Sequence, residues 1–243
     1  MRLFGLIGKP LTHSFSKSYF TNFFQQNGIA DCRYENFELD QIQSFTELVK
    51  SQSQLAGLNV TIPYKEAVLP FLHFQDDVVR AIGACNCIKV SNGQLYGFNT
   101  DVIGFRESLS SRLKPHHTRA LILGTGGAAK AVAYALGQLA IKYQIVSRKE
   151  QEGLLNYETL NEKLLIAHTL IVNTTPLGMY PQIDTFPPID YSRLTSDHLL
   201  FDLVYNPERT AFLEKGSQFG ADVMNGHEML LIQAKESWRI WND

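Results

Sequence analysis

The chain has 243 residues, 44% of them apolar and 19% charged, which excludes a disordered polymer and suits two modest domains, each with its own core. Its 22 basic residues nearly balance 24 acidic ones, with no cationic run, so no net field draws in nucleic acid or an anionic membrane and the expected partner is a small molecule. Cys32, Cys85 and Cys87 form neither a C-x-x-C pair nor half of a zinc cluster, so they read as reduced packing residues and no metal site is expected.

Residues 2–8 form a short apolar run stopped by Gly8-Lys9-Pro10, the pattern of a buried strand. Gly5, Lys9 and Lys17 interrupt it too soon for a signal peptide, and no later stretch is long enough to span a bilayer, so the cytoplasm is the expected compartment. Phe15, Tyr19, Phe20, Phe23 and Phe24 recur at helical spacing up to Asn27-Gly28. Strand 34–39, helix 41–50 and strand 55–60 follow, then a helix of about two turns between Pro63 and Pro70. Asn92-Gly93 between 88–90 and 94–96 marks a hairpin, and 101–113 reads as a helix. Lys114-Pro115-His116-His117 is the most linker-like stretch, and composition puts the domain boundary near it. Beyond it, apolar strands at 120–123, 143–146, 169–172 and 199–203 alternate with helix or loop, the rhythm of a doubly wound parallel sheet. Residues 226–241 read as a closing helix carrying both tryptophans.

The strand at 120–123 runs directly into Gly124-Thr125-Gly126-Gly127-Ala128-Ala129 and an alanine-rich helix, the context that a dinucleotide-binding G-x-G-x-x-[GA] loop requires. Gly124 permits the tight turn, Gly126 lets the backbone approach a pyrophosphate, and the first helical residues, Gly127 and Ala128, offer free N–H groups. About twenty positions on, where NAD-binding loops carry a carboxylate for the ribose, this chain has Ser147-Arg148-Lys149. A guanidinium fork and an ammonium there suit the 2′-phosphate of NADP; the plainer alternative is a solvated strand end, with Glu150 and Glu152 close by.

In the first half, polar side chains gather where strands end, which in an open α/β sheet is where ligands bind. Ser14 and Ser16 flank a helix start and with its free N–H groups could clasp a carboxylate; alternatively Ser16 is only the cap. Asn59, Thr61, Asn86, Asn99 and Thr100 offer amides and hydroxyls to alcohol groups, against a reading as turn residues. Lys65 falls in a first helical turn, where the macrodipole disfavours a cation, and a nearby Asp101 carboxylate would fix it; a lysine so held can pass a proton to a carbonyl oxygen. The plainer accounts are a surface lysine, and a helix cap at Asp101 or Thr100.

Taken with His13-Ser14-Phe15-Ser16, Asn59-Val60-Thr61-Ile62-Pro63-Tyr64-Lys65, Gly83-Ala84-Cys85-Asn86, Asn99-Thr100-Asp101, 173–179, 202–207 and 229–234, the chain resembles the shikimate dehydrogenase family over nearly its whole length. The resemblance implies an N-terminal α/β substrate domain, 1–101, with the C-terminal helix 226–243 packing back on it, and a Rossmann-type NADP-binding domain, 102–225. It implies Lys65 and Asp101 as catalytic residues, with substrate held by Ser14, Ser16, Asn59, Thr61, Asn86, Thr100, Tyr205 and Gln233. Cofactor contacts are implied for Gly124, Gly126, Gly127, Ala128, Ser147, Arg148, Lys149, Thr174 and Gly226. The expected reaction is NADPH-dependent reduction of 3-dehydroshikimate to shikimate by a monomer or homodimer that binds neither nucleic acid nor membrane. The rival readings are a quinate-using relative that prefers NAD and a non-catalytic sensor. Lys17 stands where the family has proline, Cys87 where it has threonine and Ser147 where it has asparagine, and the chain is short for the family.

Overall fold

The computed structural model describes residues 1–11 and 14–243; His13 of the opening motif lies outside them. The chain divides into two compact units, Met1–Thr100 with Gln233–Asp243, and Asp101–Ile232. The linker-like stretch 114–117 therefore lies inside the second unit. Its polar residues serve a turn: His117 Nδ1 accepts from Lys114 N at 3.0 Å, and the His116 and His117 rings both reach the Asp197 carbonyl.

The first unit begins with β1 (Arg2–Gly8), α1 (Phe15–Gln26), β2 (Cys32–Glu38), α2 (Phe45–Ser51) and β3 (Leu55–Val60). It continues through α3 (Tyr64–Ala67), β4 (Phe74–Gln75), α4 (Asp77–Ile82), β5 (Cys87–Ser91) and β6 (Gln94–Phe98). The sheet order is β2-β1-β3-β5-β6-β4, with β1 parallel to both neighbours and β5 antiparallel to β3 and β6. From Leu3 to Gly8 β1 is apolar and buried because it lies inside the sheet with both faces covered. Asn92 and Gly93, at φ 52° and 73°, close the β5–β6 hairpin with the two left-handed residues that a tight primed turn needs. The helix expected at 41–50 is split into a 3₁₀ turn, Ile42–Ser44, and α2.

α5 (Thr100–Ser110) carries the chain into the second unit and ends three residues before the expected Leu113. There follow β7 (Arg119–Leu123), α6 (Gly127–Gln138), β8 (Lys142–Ser147), β9 (Leu155–Asn156), α7 (Glu162–Ala167) and β10 (Leu170–Asn173). β11 (Leu199–Asp202), α8 (Ala211–Gln218), β12 (Asp222–Met224) and α9 (His227–Asn242) complete the chain. Every pairing in this sheet is parallel and the order is β9-β8-β7-β10-β11-β12, the doubly wound arrangement read from the sequence. The strand order reverses between β7 and β10, and in such sheets ligands bind beyond the carboxyl ends of the strands at that point.

The first core is aromatic: Phe4, Phe20, Phe24 and Trp241 pack together, and the Trp241 indole donates to the Ile88 carbonyl at 3.0 Å. The second is mostly aliphatic, built on Leu121, Leu123, Ile171 and Leu200. All three cysteines are buried free thiols, and burial pushes Cys32 and Cys87 upward, away from the reactive thiolate. Among the described residues no helix is long and apolar enough to cross a membrane, and no group of three or more His, Cys, Asp or Glu could hold a metal ion.

Candidate active site

Within the first unit four of the candidate substrate residues, Asn59, Asn86, Thr100 and Gln233, share one hydrogen-bonded network. Ser14 is the N-cap of α1, its hydroxyl accepting from Lys17 N at 3.4 Å, while Ser16 lies inside the first turn. The cap is therefore Ser14 rather than Ser16, and the role that a cap does not explain passes to Ser16. Lys17 does not perturb the helix start, and its ammonium is paired with Glu35 at 2.7 Å. Asn59, near the end of β3, accepts from the Tyr34 hydroxyl at 2.9 Å and donates to Ser237 Oγ at 2.8 Å and to the Asn86 carbonyl at 3.4 Å. Asn86, buried just before β5, accepts from Thr100 N at 2.7 Å, and its Nδ2 donates to Thr100 Oγ1 at 3.1 Å and Gln233 Oε1 at 3.5 Å. Asn59, Asn86, Thr100 and Gln233 thus converge through side-chain bonds, with Gln233 half-buried on α9. Asn99 is buried and ties the Ala84 carbonyl at 3.0 Å. Thr61 follows β3 and bonds the Ile7 carbonyl through its N–H, so that β1 and β3 finish side by side.

Tyr34 and Ser237 were not candidates from sequence. Each reads as an ordinary core residue, and only the placing of β2 and β3 on either side of β1, with Ser237 of α9 reaching Asn59, reveals the polar atoms they share. Burial pushes the Tyr34 phenol well above its ordinary range, and a hydrogen bond from Ser16 opposes that shift.

Lys65 is half-buried on α3, and its carbonyl accepts from Cys85 N at 2.8 Å. α3 is a single four-residue turn, so that Lys65, second in it, lies in its first and its last turn alike and the macrodipole argument made from sequence does not hold there. Thr100 and Asp101 are both buried inside the first turn of α5, not ahead of it, so neither is its cap; a carboxylate at that place is favoured by the helix dipole. Tyr205 is half-buried in the segment after β11, not a core aromatic. That segment is anchored by Asp202, whose Oδ1 accepts from Val204 N at 3.0 Å and from Asn173 Nδ2 at 2.9 Å.

In the second unit the glycine-rich loop leaves β7 at the switch point. Gly124 has φ +119°, and a Cβ there would meet Thr174 Oγ1 at 2.5 Å, so only glycine fits between the loop and the end of β10. Thr174 is held to the β7 end by two bonds to the Leu123 carbonyl, at 2.9 Å from its N–H and 2.7 Å from its hydroxyl. Gly126 is the N-cap of α6 with no side-chain cap, and a Cβ there would meet open space, so the orphan N–H groups of Gly127 and Ala128 are left for a ligand. Ala129 is buried in the close helix–strand contact. Arg148 and Lys149 are exposed past the end of β8, and Ser147, buried, takes the Lys149 N–H at 3.1 Å. The uncapped helix start, the open glycine and the exposed cations fit a dinucleotide with an extra phosphate on its ribose. Gly226 precedes α9, where a Cβ would lie 2.2 Å from the Leu203 carbonyl oxygen; close backbone approach accounts for that glycine.

The shikimate dehydrogenase substrate binding domain family matches residues 6–88. Shikimate dehydrogenase (NADP(+)) of Caldicellulosiruptor saccharolyticus is 35% identical over 261 positions, covering 100% of this chain and 93% of that protein. Among solved structures, shikimate dehydrogenase 1 from Peptoclostridium difficile has a TM-score of 0.86 at 34% identity, with 100% of this chain and 92% of that one covered. Shikimate 5-dehydrogenase from Thermus thermophilus, in complex with NADP(H) and shikimate, has a TM-score of 0.88 at 29% identity, covering 99% of this chain and 93% of that one. Similarity of this level runs through both units, and the chain belongs to the shikimate dehydrogenase family.

Proposed function

We propose that this protein catalyses the reversible reduction of 3-dehydroshikimate to shikimate by NADPH, a step toward the aromatic amino acids. The observation that carries this reading is full-length similarity to NADP(+)-dependent shikimate dehydrogenases, joined to a loop whose geometry suits a dinucleotide and whose next strand ends in two cations. NADPH, when bound, supplies the hydride. Gly124, Gly126, Gly127, Ala128 and Thr174 hold its phosphates and nicotinamide side, with Gly226 alongside; Ser147, Arg148 and Lys149 take the adenosine ribose and its 2′-phosphate.

Ser14 and Ser16 clasp the substrate carboxylate, while Asn59, Thr61, Asn86, Thr100, Tyr205 and Gln233 take its oxygens. Lys65 gives a proton to the carbonyl oxygen during reduction and removes it in the reverse direction, and Asp101 holds the ammonium in place. The cations after β8 disfavour the NAD-preferring rival, and retention of both Lys65 and Asp101 disfavours the sensor.

The test is an absorbance assay at the nicotinamide band with shikimate and NADP⁺. Turnover is expected, and Lys65→Ala and Asp101→Asn should each lower kcat by about 10²-fold or more while leaving NADP binding intact. A protein that binds NADPH yet shows no shikimate-dependent change refutes the assignment; preference for quinate with NAD favours the rival.

A further inference from the structure

β2 contributes no residue to the site just described, yet it carries a polar atom in its centre. Tyr34 is 3% exposed, its ring stacked on Phe20 with centroids 4.7 Å apart, among Phe4, Phe24 and Trp241. A phenylalanine would satisfy all of that packing. What the hydroxyl adds is reach to Asn59 Oδ1 across the sheet.

Counting protons fixes the direction of each bond. The Asn86 carbonyl can only accept, so the Asn59 amide must turn its Nδ2 toward that carbonyl and toward Ser237, leaving Oδ1 for Tyr34. The phenol has one proton, and it goes to Oδ1. Both Asn59 N–H groups are spent inside the protein, so Asn59 faces a ligand as an acceptor for an alcohol O–H, with one lone pair still unused.

We propose that Tyr34 is a positioning residue for substrate binding: its buried hydroxyl, 2.9 Å from Asn59 Oδ1, locks the Asn59 amide as an acceptor. This rests on the proposed function, since it concerns how the same substrate is held. Without the phenol, the Asn59 amide loses the partner that fixes its Oδ1.

The experiment compares wild type, Tyr34→Phe, Asn59→Ala, the double variant and Ser237→Ala, the last loosening Asn59 from its other side without touching β2. Shikimate affinity is read by calorimetry on the full chain and by KM; stability is read by urea unfolding. Tyr34→Phe should raise the shikimate Kd and KM about five- to tenfold, one buried hydrogen bond's worth, with kcat within about twofold and the NADP KM unchanged. Ser237→Ala should move the same parameter in the same direction. In the double variant, Tyr34→Phe should add less to Asn59→Ala than it costs alone, because the phenol acts through that amide. Wild-type shikimate affinity in Tyr34→Phe, whatever its stability, or full additivity with Asn59→Ala, would overturn the proposal and leave Tyr34 a packing residue. If Tyr34→Phe does not fold, an unchanged shikimate Kd in Ser237→Ala overturns it. A wild-type protein that binds no shikimate removes the functional reading itself, and this one with it.

Discussion

In the function proposed above, Arg148 carries the choice between the two nicotinamide cofactors. It stands exposed beyond β8 beside Lys149, whose backbone is turned by its bond to the Ser147 hydroxyl. A planar guanidinium can meet a 2′-phosphate with two charge-assisted bonds, and NAD has no group to receive them. Arg148→Ala should therefore raise the KM for NADP⁺ by about 10- to 100-fold, the worth of such bonds, and leave the slower NAD⁺ reaction nearly unchanged. Steady-state kinetics with both cofactors would check this; equal losses for the two would mean that Arg148 does not read the phosphate. This residue was legible from its distance to the glycine loop alone. Lys65 was singled out as well, but by an argument that α3 undermines, since a four-residue turn has almost no dipole to oppose a cation. Tyr34 could not be read from sequence, because its partner lies at position 59, on a strand that β1 separates from β2.

At the scale of elements, one contact between the last helix and the first sheet depends on a glycine. Gly57, in β3, faces the Trp241 indole so closely that a Cβ would lie 2.4 Å from two ring atoms. The indole also donates to the Ile88 carbonyl of β5 and packs on Phe4 and Phe20, so it has no free direction in which to retreat. Gly57→Ala should cost about 1–3 kcal/mol by overpacking, seen as a lower urea midpoint. Because Ser237 lies one helical turn before Trp241, the same variant should also weaken shikimate binding. An unchanged midpoint would show that the helix can shift to accept a methyl group. Helices with a strong apolar period and strands with long apolar runs, such as β1, β7 and α6, were legible within a few residues. The short edge strands β4, β9 and β12 were not, since two or three residues carry no period and are strands only because a neighbour pairs with them. The linker-like composition of 114–117 misled for a related reason: histidines that look solvated are bonded to the Asp197 carbonyl.

For the whole molecule, the dependence of stability on pH is set by buried groups of opposite sign. Burial pushes the Asp202 carboxyl up to about 7, although Thr210, Val204 and Asn173 all donate to it and pull it down. The folded protein holds that proton over a range where the unfolded chain, titrating near the ordinary aspartate value, has released it. Asp202 therefore favours folding most in acid, and its contribution is lost as pH rises from about 4 to about 7, at up to about 1.4 kcal/mol per pH unit. Half-buried Asp76, also raised chiefly by burial, acts in the same sense. His117 and His168 act oppositely: burial lowers both, so the folded state keeps them neutral while the unfolded chain takes up protons below about 6.5, and stability falls on acidification. Between about pH 4.5 and 6.5 the two sets act in opposite directions. Asp202→Asn removes one side of the balance without changing shape, because the amide oxygen can still accept from Asn173 and Val204 and its nitrogen can donate to Thr210. Its midpoint should fall more steeply than wild type as pH drops from 6.5 to 4.5, and at pH 8, where wild type must bury a charge, it should equal or exceed wild type. Parallel curves for the two proteins over that range would mean that Asp202 is ionised throughout, with its three donors outweighing burial.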